Sequence, residues 1–370
     1  LTLLSFQGVL NDQNVVAIKK LRSEPRLGWA HTYNQLLIAS KLQHRNIVKV
    51  LGYALEDDDR SFMAWLKGRN NSQNRERKYI WVEEYMPMGN LHEIIYNQEP
   101  QPDWSSLFRI MEGVAQGVHY LHEQRILHLD LKPANILLDS QMNPKITDFD
   151  LAKILDDNEG THVNPETIKS CSGYLAPEYV LNGTVSAKRD VYAFGITLLE
   201  TIGCIRSRFN GSREHPLGRW AWEAWEAGRL EEEFDPELFD EYQLVEIKRC
   251  IEVGLLCAQK DRMDRPSMAD VVAMLNGEKE LPTPKKPEYI NTTFHNGRRS
   301  TSFSTLSRGS LCSSFSSIDS SDRPLCHCGR PAMMETSFEP QSYGRRFFKC
   351  LDLDDVMGVM SSSLNFYITQ

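Results

Sequence analysis

The chain has 370 residues, of which 41% are hydrophobic and 25% charged, and its formal net charge at pH 7 is −8. This length accommodates two or three domains, and the apolar fraction is sufficient for a large core. The acidic balance, with an isoelectric point near 5.8, argues against whole-protein binding to nucleic acid. No apolar run reaches the roughly 18 to 20 residues of a membrane span, and the N-terminus lacks the pattern of a signal peptide.

Residues 1 to about 85 are predicted to be strand-rich with one helix. The β-branched segment Val15–Lys20 predicts a strand, and the apolar spacing of residues 32–42 predicts an amphipathic helix. Two further strands are predicted over residues 47–53 and 79–83. The polar segment between them, residues 56–78, has the composition of an exposed inserted loop.

Residues 89 to about 281 are predicted to be mainly helical. Apolar residues recur at helical spacing over residues 107–121 and again over residues 244–257. Residues 191–202 are apolar but too short to span a membrane, which favours a core helix. A last helix is predicted over residues 267–275, with Ser267 as its N-cap and Asp270 three positions on.

The composition changes after a Pro-rich exit over residues 281–287. Residues 300–321 hold eleven serines and two threonines in 22 positions. Such a tract cannot bury enough apolar surface to fold, so residues 287–322 are predicted to form a disordered linker. A final segment, residues 323–370, follows the linker.

One short stretch carries the groups that phosphoryl transfer requires. Asp130, Lys132 and Asn135 lie within one loop, and Asp148 follows 13 residues after Asn135. A carboxylate can orient and deprotonate an attacking hydroxyl, and Asn and Asp oxygens can hold magnesium. Taken singly, each residue has an ordinary alternative as a turn-forming residue, and a strand lysine such as Lys19 is ordinarily an exposed side chain.

Several motifs stand in a fixed order: Val16-Ala17-Ile18-Lys19, Lys41 to Val48, His128 to Asn135, Asp148-Phe149-Asp150, Ala176-Pro177-Glu178, Asp190 to Gly195 and Asp264-Arg265-Pro266-Ser267. With these motifs, residues 5–290 resemble a eukaryotic protein kinase. The closer resemblance is to the plant receptor-like Ser/Thr kinases of the cysteine-rich and S-domain-like kind. It implies an α+β, bilobal kinase fold over residues 1–286, with a small lobe over 1–85 and a large lobe over 89–281.

The resemblance implies roles for the residues of the catalytic machinery. Lys19 would contact the α- and β-phosphates of ATP, and Asp130 would act as the catalytic base. Lys132 would lie beside the transferred phosphoryl group, where a lysine is typical of Ser/Thr specificity. Asn135 and Asp148 would hold Mg²⁺.

The resemblance also implies the adenine contacts. Ala17 and Leu137 would lie on the two faces of the ring, although core packing alone would explain both residues. The backbone from Glu84 to Met86 would be the hinge that binds the adenine edge. Glu83 would then guard the deeper pocket, an uncommon polar choice.

Three further residues are implied to have structural roles. Glu178 and Arg265 would form the ion pair that anchors the activation segment in the large lobe. Asp190 would steady the catalytic loop through its backbone amides. Loss of one partner of a buried pair would leave the other charge unpaired.

Two departures from the kinase pattern concern the small lobe. Gly8 is the only glycine in residues 1–27, so the Gly-rich loop that cradles the phosphates is missing. Gln35 stands where the family has the helix glutamate that pairs with the strand lysine, and residues 25–55 contain no Asp or Glu. We therefore expect a Lys19–Gln35 contact that is weaker than a charge-assisted pair.

Two further departures concern regulation. Leu129 replaces the arginine that binds an activation-loop phosphate, so activation by that route is not expected. Asp150 replaces a glycine, and Asp enters the left-handed backbone conformations of glycine only at a cost. Switching of the activation segment is therefore expected to be restricted.

The C-terminal segment resembles part of a GRF-type zinc finger. Cys326, Cys328 and Cys350 would be three of its ligands, whereas a structural zinc site needs four. Asp352 or Asp354 could supply the fourth ligand. The alternative is a truncated remnant that binds no metal.

Three hypotheses follow. The first is a Ser/Thr kinase that uses ATP and Mg²⁺, acts on a protein substrate and answers to an upstream receptor kinase. The second is a catalytically impaired scaffold, because the Gly-rich loop and the helix glutamate are absent. The third is a zinc or nucleic-acid adaptor that works through its tail, although nucleic-acid binding is not favoured by the charge.

The cysteines and the first residue bear on location. The first four cysteines are Cys171, Cys204, Cys250 and Cys257, and their scatter through predicted core predicts reduced thiols of an intracellular, cytoplasmic protein. The chain begins with Leu1, so we expect it to be part of a longer protein. Membrane association through the preceding sequence stays open.

Overall fold

The computed structural model describes residues 4–9, 15–22, 35, 37–56, 78–97, 102–155, 161–162, 172–210, 219–235, 237–286, 290–295, 298–303, 333–336, 346–349 and 365–368. The chain divides into two compact units. The first unit comprises Leu1–Gln43, Val48–Met88 and Ser313–Gln370, and the second comprises His44–Ile47 and Gly89–Cys312. Most of the predicted inserted loop, residues 57–77, lies outside the described residues.

The first unit contains an antiparallel sheet. Its strands are β1 (Leu4–Val9), β2 (Val15–Arg22), β3 (Val50–Glu56) and β4 (Lys78–Glu84). The order is β1-β2-β4-β3, and the strand Asn365–Ile368 from the C-terminal segment pairs with β3 at the edge. The strands predicted at residues 15–20 and 79–83 are confirmed as β2 and β4.

The strand predicted over residues 47–53 starts later than expected, at Val50. The backbone N–H of Ile47 donates to His44 O in a turn, and Ile47 forms an isolated parallel bridge with Ile146 in the second unit, to which both residues belong. The predicted small-lobe helix is present, since residues 35 and 37–41 are helical, and we call it α1.

The second unit is mainly helical. Its main helices are α2 (Leu91–Asn97), α3 (Trp104–Glu123), α4 (Pro177–Asn182), α5 (Ala187–Asn210), α6 (Arg219–Glu226), α7 (Glu241–Cys257) and α8 (Met268–Leu275). Short antiparallel pairs join β5 (Ile126–Leu127) to β8 (Lys153–Ile154), β6 (Ile136–Leu138) to β7 (Pro144–Ile146), and β9 (Thr161–His162) to β10 (Thr184–Val185). In the part of the chain described above, no helix combines the length and apolar character needed to cross a bilayer.

Helix α5 lies in the core of the second unit and packs closely on α7. A Cβ added at Gly195 would lie 2.5 Å from the Cβ of Cys257, and one added at Gly254 would lie 2.7 Å from the side chain of Leu199. Real side chains do not approach so closely, so both glycines are needed for this approach of the two helices. The packing fixes the start of α5, which carries Asp190.

The predicted N-cap of α8, Ser267, is confirmed. The N–H of Asp270 donates to Ser267 Oγ at 3.2 Å, and the N–H of Ser267 donates to Asp270 Oδ2 at 3.2 Å. This reciprocal arrangement is the capping box that satisfies two backbone donors at once.

The segment after the Pro-rich exit differs in part from its prediction. Residues 290–295 pair in antiparallel register with residues 298–303, which gives β11 and β12, whereas the sequence predicted disorder over residues 287–322. Threonines and Phe294 supply the β-branched and aromatic content that favours strands. Residues 304–321, which hold most of the serines, lie outside the described residues.

Candidate active site

The β6–β7 hairpin brings the two predicted metal ligands to one end. Ile136 pairs with Ile146, and the N–H of Thr147 donates to Asn135 O at 3.0 Å. Asn135 directly precedes β6, and Asp148 lies two residues after the end of β7. Both therefore lie at the same end of the hairpin. Asp148 has a φ of 69°, a left-handed conformation that Asp tolerates better than most residues.

The side chains of the loop from His128 to Asn135 converge on Asp130. Its Oδ2 accepts a hydrogen bond from Lys132 Nζ at 2.7 Å and another from Asn135 Nδ2 at 3.0 Å. Asn135 Nδ2 also donates to the backbone oxygen of Asp130 at 2.8 Å. The amide nitrogen of Asn135 is therefore directed at Asp130, which makes its amide oxygen the atom suited to a cation.

Asp190, at the start of α5, holds the loop through its backbone. Its carboxylate is fully buried and accepts from the N–H of His128 at 2.9 Å and from the N–H of Leu129 at 2.8 Å. His122 Nε2 lies 3.1 Å from the same carboxylate. The predicted role of Asp190 is confirmed.

The charged form of Asp190 is favoured despite its burial. Burial alone would raise the pKa of Asp190, but the hydrogen bond from His122, the charges of His122 and His128, and the N–H of Leu129 outweigh it. The pKa therefore lies below the ordinary range of an aspartate. The loop amides thus face a carboxylate that stays ionised.

Leu129 occupies an unusual backbone conformation inside an apolar cluster. Its φ is 65°, which costs a bulky residue roughly 1–2 kcal/mol. Its side chain is 4% exposed and shares a cluster with five other apolar residues: Leu127, Leu175, Tyr179, Val180 and Val185. The residue that replaces the arginine of the family therefore packs against the chain around α4.

Asp150 has no positive φ, so it adopts no glycine-like conformation here.

Arg189 is a residue of the site that sequence reasoning missed. Its Nη2 donates to the carbonyl of Leu129 at 2.6 Å, and its guanidinium lies 3.6 Å from the centre of the Tyr179 ring. Burial lowers its pKa, while Tyr179, Asp190 and Asp130 act in the opposite direction. Leu129 is thereby held at both backbone groups, the N–H by Asp190 and the carbonyl by Arg189. In the sequence, the position of Arg189 next to Asp190 was the signal that could have identified it.

The predicted ion pair of Glu178 and Arg265 is confirmed. Arg265 Nη1 and Nη2 donate to the two carboxylate oxygens of Glu178, each at 2.8 Å. Arg265 is 1% exposed, and its Nε donates to Gln259 O at 2.7 Å. A bidentate pair of this kind fixes orientation as well as distance, so it anchors the start of α4.

In the first unit, Lys19 has a different partner from the one predicted. Its Nζ lies 2.7 Å from Glu83 Oε2 on the adjacent strand β4. The sequence predicted Gln35 as the polar partner, but the ion pair in the structure is made with Glu83. Gln35 is itself buried, with 4% of its surface exposed.

Of the residues predicted to contact the nucleotide, Ala17, Glu84 and Met86 belong to the first unit and Leu137 belongs to the second. Ala17, on β2, is half-buried, and Met86 is buried after β4. Glu84 Oε1 accepts from the N–H of Lys49 at 2.8 Å, and its own N–H donates to Lys49 O at 3.0 Å. Leu137, on β6, is half-buried and bridges to Asn90. Contact of these residues with a nucleotide stays a prediction.

The cysteine predictions divide between the two ends of the chain. Cys204, Cys250 and Cys257 are buried and form no disulfide, as predicted, while Cys171 lies outside the described residues. Burial raises the pKa of the Cys250 and Cys257 thiols, which makes them unreactive.

The three cysteines of the zinc prediction, Cys326, Cys328 and Cys350, lie outside the described residues. Within the described ranges, no group of three or more His, Cys, Asp or Glu residues is placed to hold a metal ion.

Comparison with known proteins agrees with the geometry of the loop. Residues 5–275 match the family model of the protein kinase domain. From Arabidopsis thaliana, G-type lectin S-receptor-like serine/threonine-protein kinase SD1-13 is 37% identical over 293 residues, which cover 77% of this chain and 33% of that protein. Cysteine-rich receptor-like protein kinase 26 is 37% identical over 324 residues, covering 84% of this chain and 45% of that protein. The chain spans a third to less than half of the length of these relatives, and it belongs to the protein kinase family.

Proposed function

We propose that the chain transfers the γ-phosphoryl group of ATP to a serine or threonine hydroxyl of a protein. One observation carries the proposal: Asp130 Oδ2 holds both Lys132 and Asn135, and the β6–β7 hairpin places Asp148 at the same end as Asn135. The family and the named serine/threonine kinases among its relatives support the same reaction.

In this proposal Asp130 is the catalytic base. The substrate hydroxyl attacks the γ-phosphorus, the bond from that phosphorus to the bridging oxygen breaks, and the hydroxyl proton moves to the Asp130 carboxylate. Lys132 then balances negative charge beside the transferred group, and its 2.7 Å contact also orients the carboxylate of Asp130. Ser/Thr specificity rests on this lysine.

The donor set suits magnesium. The amide oxygen of Asn135 and the carboxylate of Asp148 are hard oxygen ligands, and Mg²⁺ ordinarily takes one or two protein carboxylates together with substrate phosphates. A cluster of three acidic residues is therefore not required. When bound, the ion would neutralise charge on the β- and γ-phosphates.

The remaining contacts of ATP are assigned as the resemblance to protein kinases implies. Lys19 is assigned to the α- and β-phosphates, because a buried lysine amine on a strand is the family's phosphate ligand. The backbone of Glu84 to Met86 is assigned to the adenine edge, and Ala17 and Leu137 to the faces of the ring.

The biological setting is also a proposal. The relatives are named as receptor-like kinases, so we propose a role in signalling, with an upstream receptor kinase as partner and a protein as substrate.

For the tail, zinc binding through Cys326, Cys328 and Cys350 stays a prediction. Metal analysis of the full chain, beside a variant with these cysteines changed to serine, tests it.

Incorporation of labelled phosphate from γ-labelled ATP tests the proposed reaction. We expect transfer by the wild type and its loss in Asp130→Asn and in Lys19→Met, because each removes a group that acts on the hydroxyl or the phosphates. Equal incorporation by all three proteins would overturn the proposal.

The same proteins also separate a kinase from a scaffold. The absent glycines and Gln35 motivate the scaffold, which predicts neither phosphate transfer nor a rise in the melting temperature of the wild type with Mg-ATP. A rise in melting temperature that disappears in Lys19→Met would favour the kinase.

A further inference from the structure

Glu83 and Lys19 face each other across two paired strands. In the antiparallel register of β2 and β4, Ala17 lies opposite Glu83 and Lys19 lies opposite Trp81. Side chains two positions apart on a strand share one face of the sheet. Lys19 and Glu83 are therefore diagonal neighbours on one face, and their charged atoms meet at 2.7 Å.

Both members of this pair are buried. Lys19 is 7% exposed and Glu83 is 3% exposed. A buried ammonium group is strongly destabilised when it lacks a counter-charge, and loss of either partner of a buried pair leaves the other charge uncompensated. Glu83 thus balances the charge of Lys19 and holds its Nζ on this face of the sheet.

The sequence explains why the carboxylate has to come from the sheet. The resemblance puts Gln35 at the helix position that supplies the carboxylate in kinases, and residues 25–55 contain no Asp or Glu. Gln35 is neutral, so it cannot balance the charge of Lys19. The acidic residue appears instead on β4, at the position of Glu83.

We propose that Glu83 is the positioning residue for Lys19 and takes the place of the missing helix carboxylate. The inference rests on the proposed function, in which Lys19 contacts the phosphates of ATP. It has one consequence for regulation. Because β2 and β4 are hydrogen-bonded neighbours, the ion pair belongs to the sheet and does not depend on the position of α1, whose movement commonly switches kinases.

The test compares the wild-type full chain with Glu83→Gln, with Gln35→Glu and with the double variant Gln35→Glu/Glu83→Gln. We call the double variant the transposed variant, because it moves the carboxylate from position 83 to position 35. The first readout is the rate at which Lys19 is acylated at neutral pH, measured by mass spectrometry of the Lys19 peptide. Without Glu83, Lys19 Nζ loses the 2.7 Å ion pair that holds it against β4, so we expect acylation about tenfold faster in Glu83→Gln. The double variant should return the rate towards that of the wild type.

The second readout is kinetic. In Glu83→Gln we expect kcat/KM for ATP to fall about tenfold or more, with partial recovery in the double variant. The matched control is Glu233→Gln, which removes the carboxylate of the partly buried Arg206–Glu233 ion pair outside the catalytic machinery. This control should leave both readouts unchanged.

The outcomes separate the two proposals. If the wild type transfers no phosphate, the proposed function fails, and the acylation rates still decide the role of Glu83. If the wild type is active and Glu83→Gln matches it in acylation rate and in kcat/KM, the positioning role is overturned. If Glu83→Gln does not fold, the transposed variant decides: a slow acylation rate like that of the wild type supports the proposal, and a fast rate contradicts it.

Discussion

Leu129 allows backbone strain to be measured separately from packing. The residue combines a buried side chain with a φ of 65°. Its replacement by alanine therefore changes the packing alone, whereas its replacement by glycine changes the packing and the backbone strain. Leu129→Ala removes the apolar contacts but keeps a left-handed L-residue. Leu129→Gly removes the same contacts and also removes the strain, since glycine adopts this conformation freely.

The magnitudes follow from the structure. Because Leu129 is 4% exposed, its replacement by alanine should lower the free energy of unfolding by about 2–5 kcal/mol. Going on to glycine ordinarily costs about 0.8 kcal/mol for one buried methyl group and about 0.5–1 kcal/mol of backbone entropy. Relief of left-handed strain returns about 1–2 kcal/mol. We therefore expect the glycine and alanine variants to be nearly equal in stability.

Urea unfolding of the wild type and both variants, followed by tryptophan fluorescence, measures these differences. A matched control is Leu138→Ala and Leu138→Gly, because Leu138 is buried on β6 without a positive φ. There glycine should be less stable than alanine by about 1.5 kcal/mol. The reasoning is refuted if the two truncations differ as much at Leu129 as they do at Leu138.

Three further predictions concern the supports of the site. Arg265→Lys should lower the free energy of unfolding by about 3 kcal/mol in thermal or urea unfolding, because lysine cannot reproduce the bidentate contact with Glu178; a loss below about 0.5 kcal/mol would contradict this. Asp190 has a lowered pKa, so it stabilises the fold above the unfolded value of about 3.9 and loses that contribution as pH falls through the folded value. Asp190→Asn should therefore flatten the decline in stability below about pH 4, and an unchanged acid profile would speak against it. Ser267→Ala should cost about 1 kcal/mol, and NMR titration should show the pKa of Asp270, held at about 2 by hydrogen bonds from Lys279 and Ser267, moving upwards. A pKa that stays near 2 would assign the effect to Lys279 and the backbone N–H of residue 267, without a part for the Ser267 hydroxyl.

The parts of the site that the sequence predicted are those fixed by local chain geometry. Asn135 and Asp148 flank the two short strands β6 and β7, and a hairpin of that length brings its ends together. Ser267 and Asp270 stand at the spacing of a capping box, which depends only on one helical turn. Such features can be predicted without knowing which residues far apart in the sequence come into contact.

The parts that were missed depend on long-range contacts. The Lys19–Glu83 pair requires the register between β2 and β4, and alternation along either strand does not determine that register. Arg189 lies in the first turn of a helix, where an arginine is ordinarily exposed, and only the fold buries it against Leu129. The left-handed backbone of Leu129 is likewise imposed by Asp190 and Arg189, since leucine has no preference for it.

The central claim is that Asp130 is the base of a phosphoryl transfer to serine or threonine. The most direct measurement is the rate of labelled phosphate transfer from Mg-ATP to an acceptor protein, with phosphoamino-acid identification, for the wild type, Asp130→Asn and Asp139→Asn. Asp139 caps the β6–β7 turn by accepting from the N–H groups of Gln141 and Asn143 and has no part in the reaction. We predict phosphoserine or phosphothreonine from the wild type and the Asp139 variant, and a rate at least about a hundredfold lower for Asp130→Asn. Equal rates for Asp130→Asn and Asp139→Asn would contradict the claim.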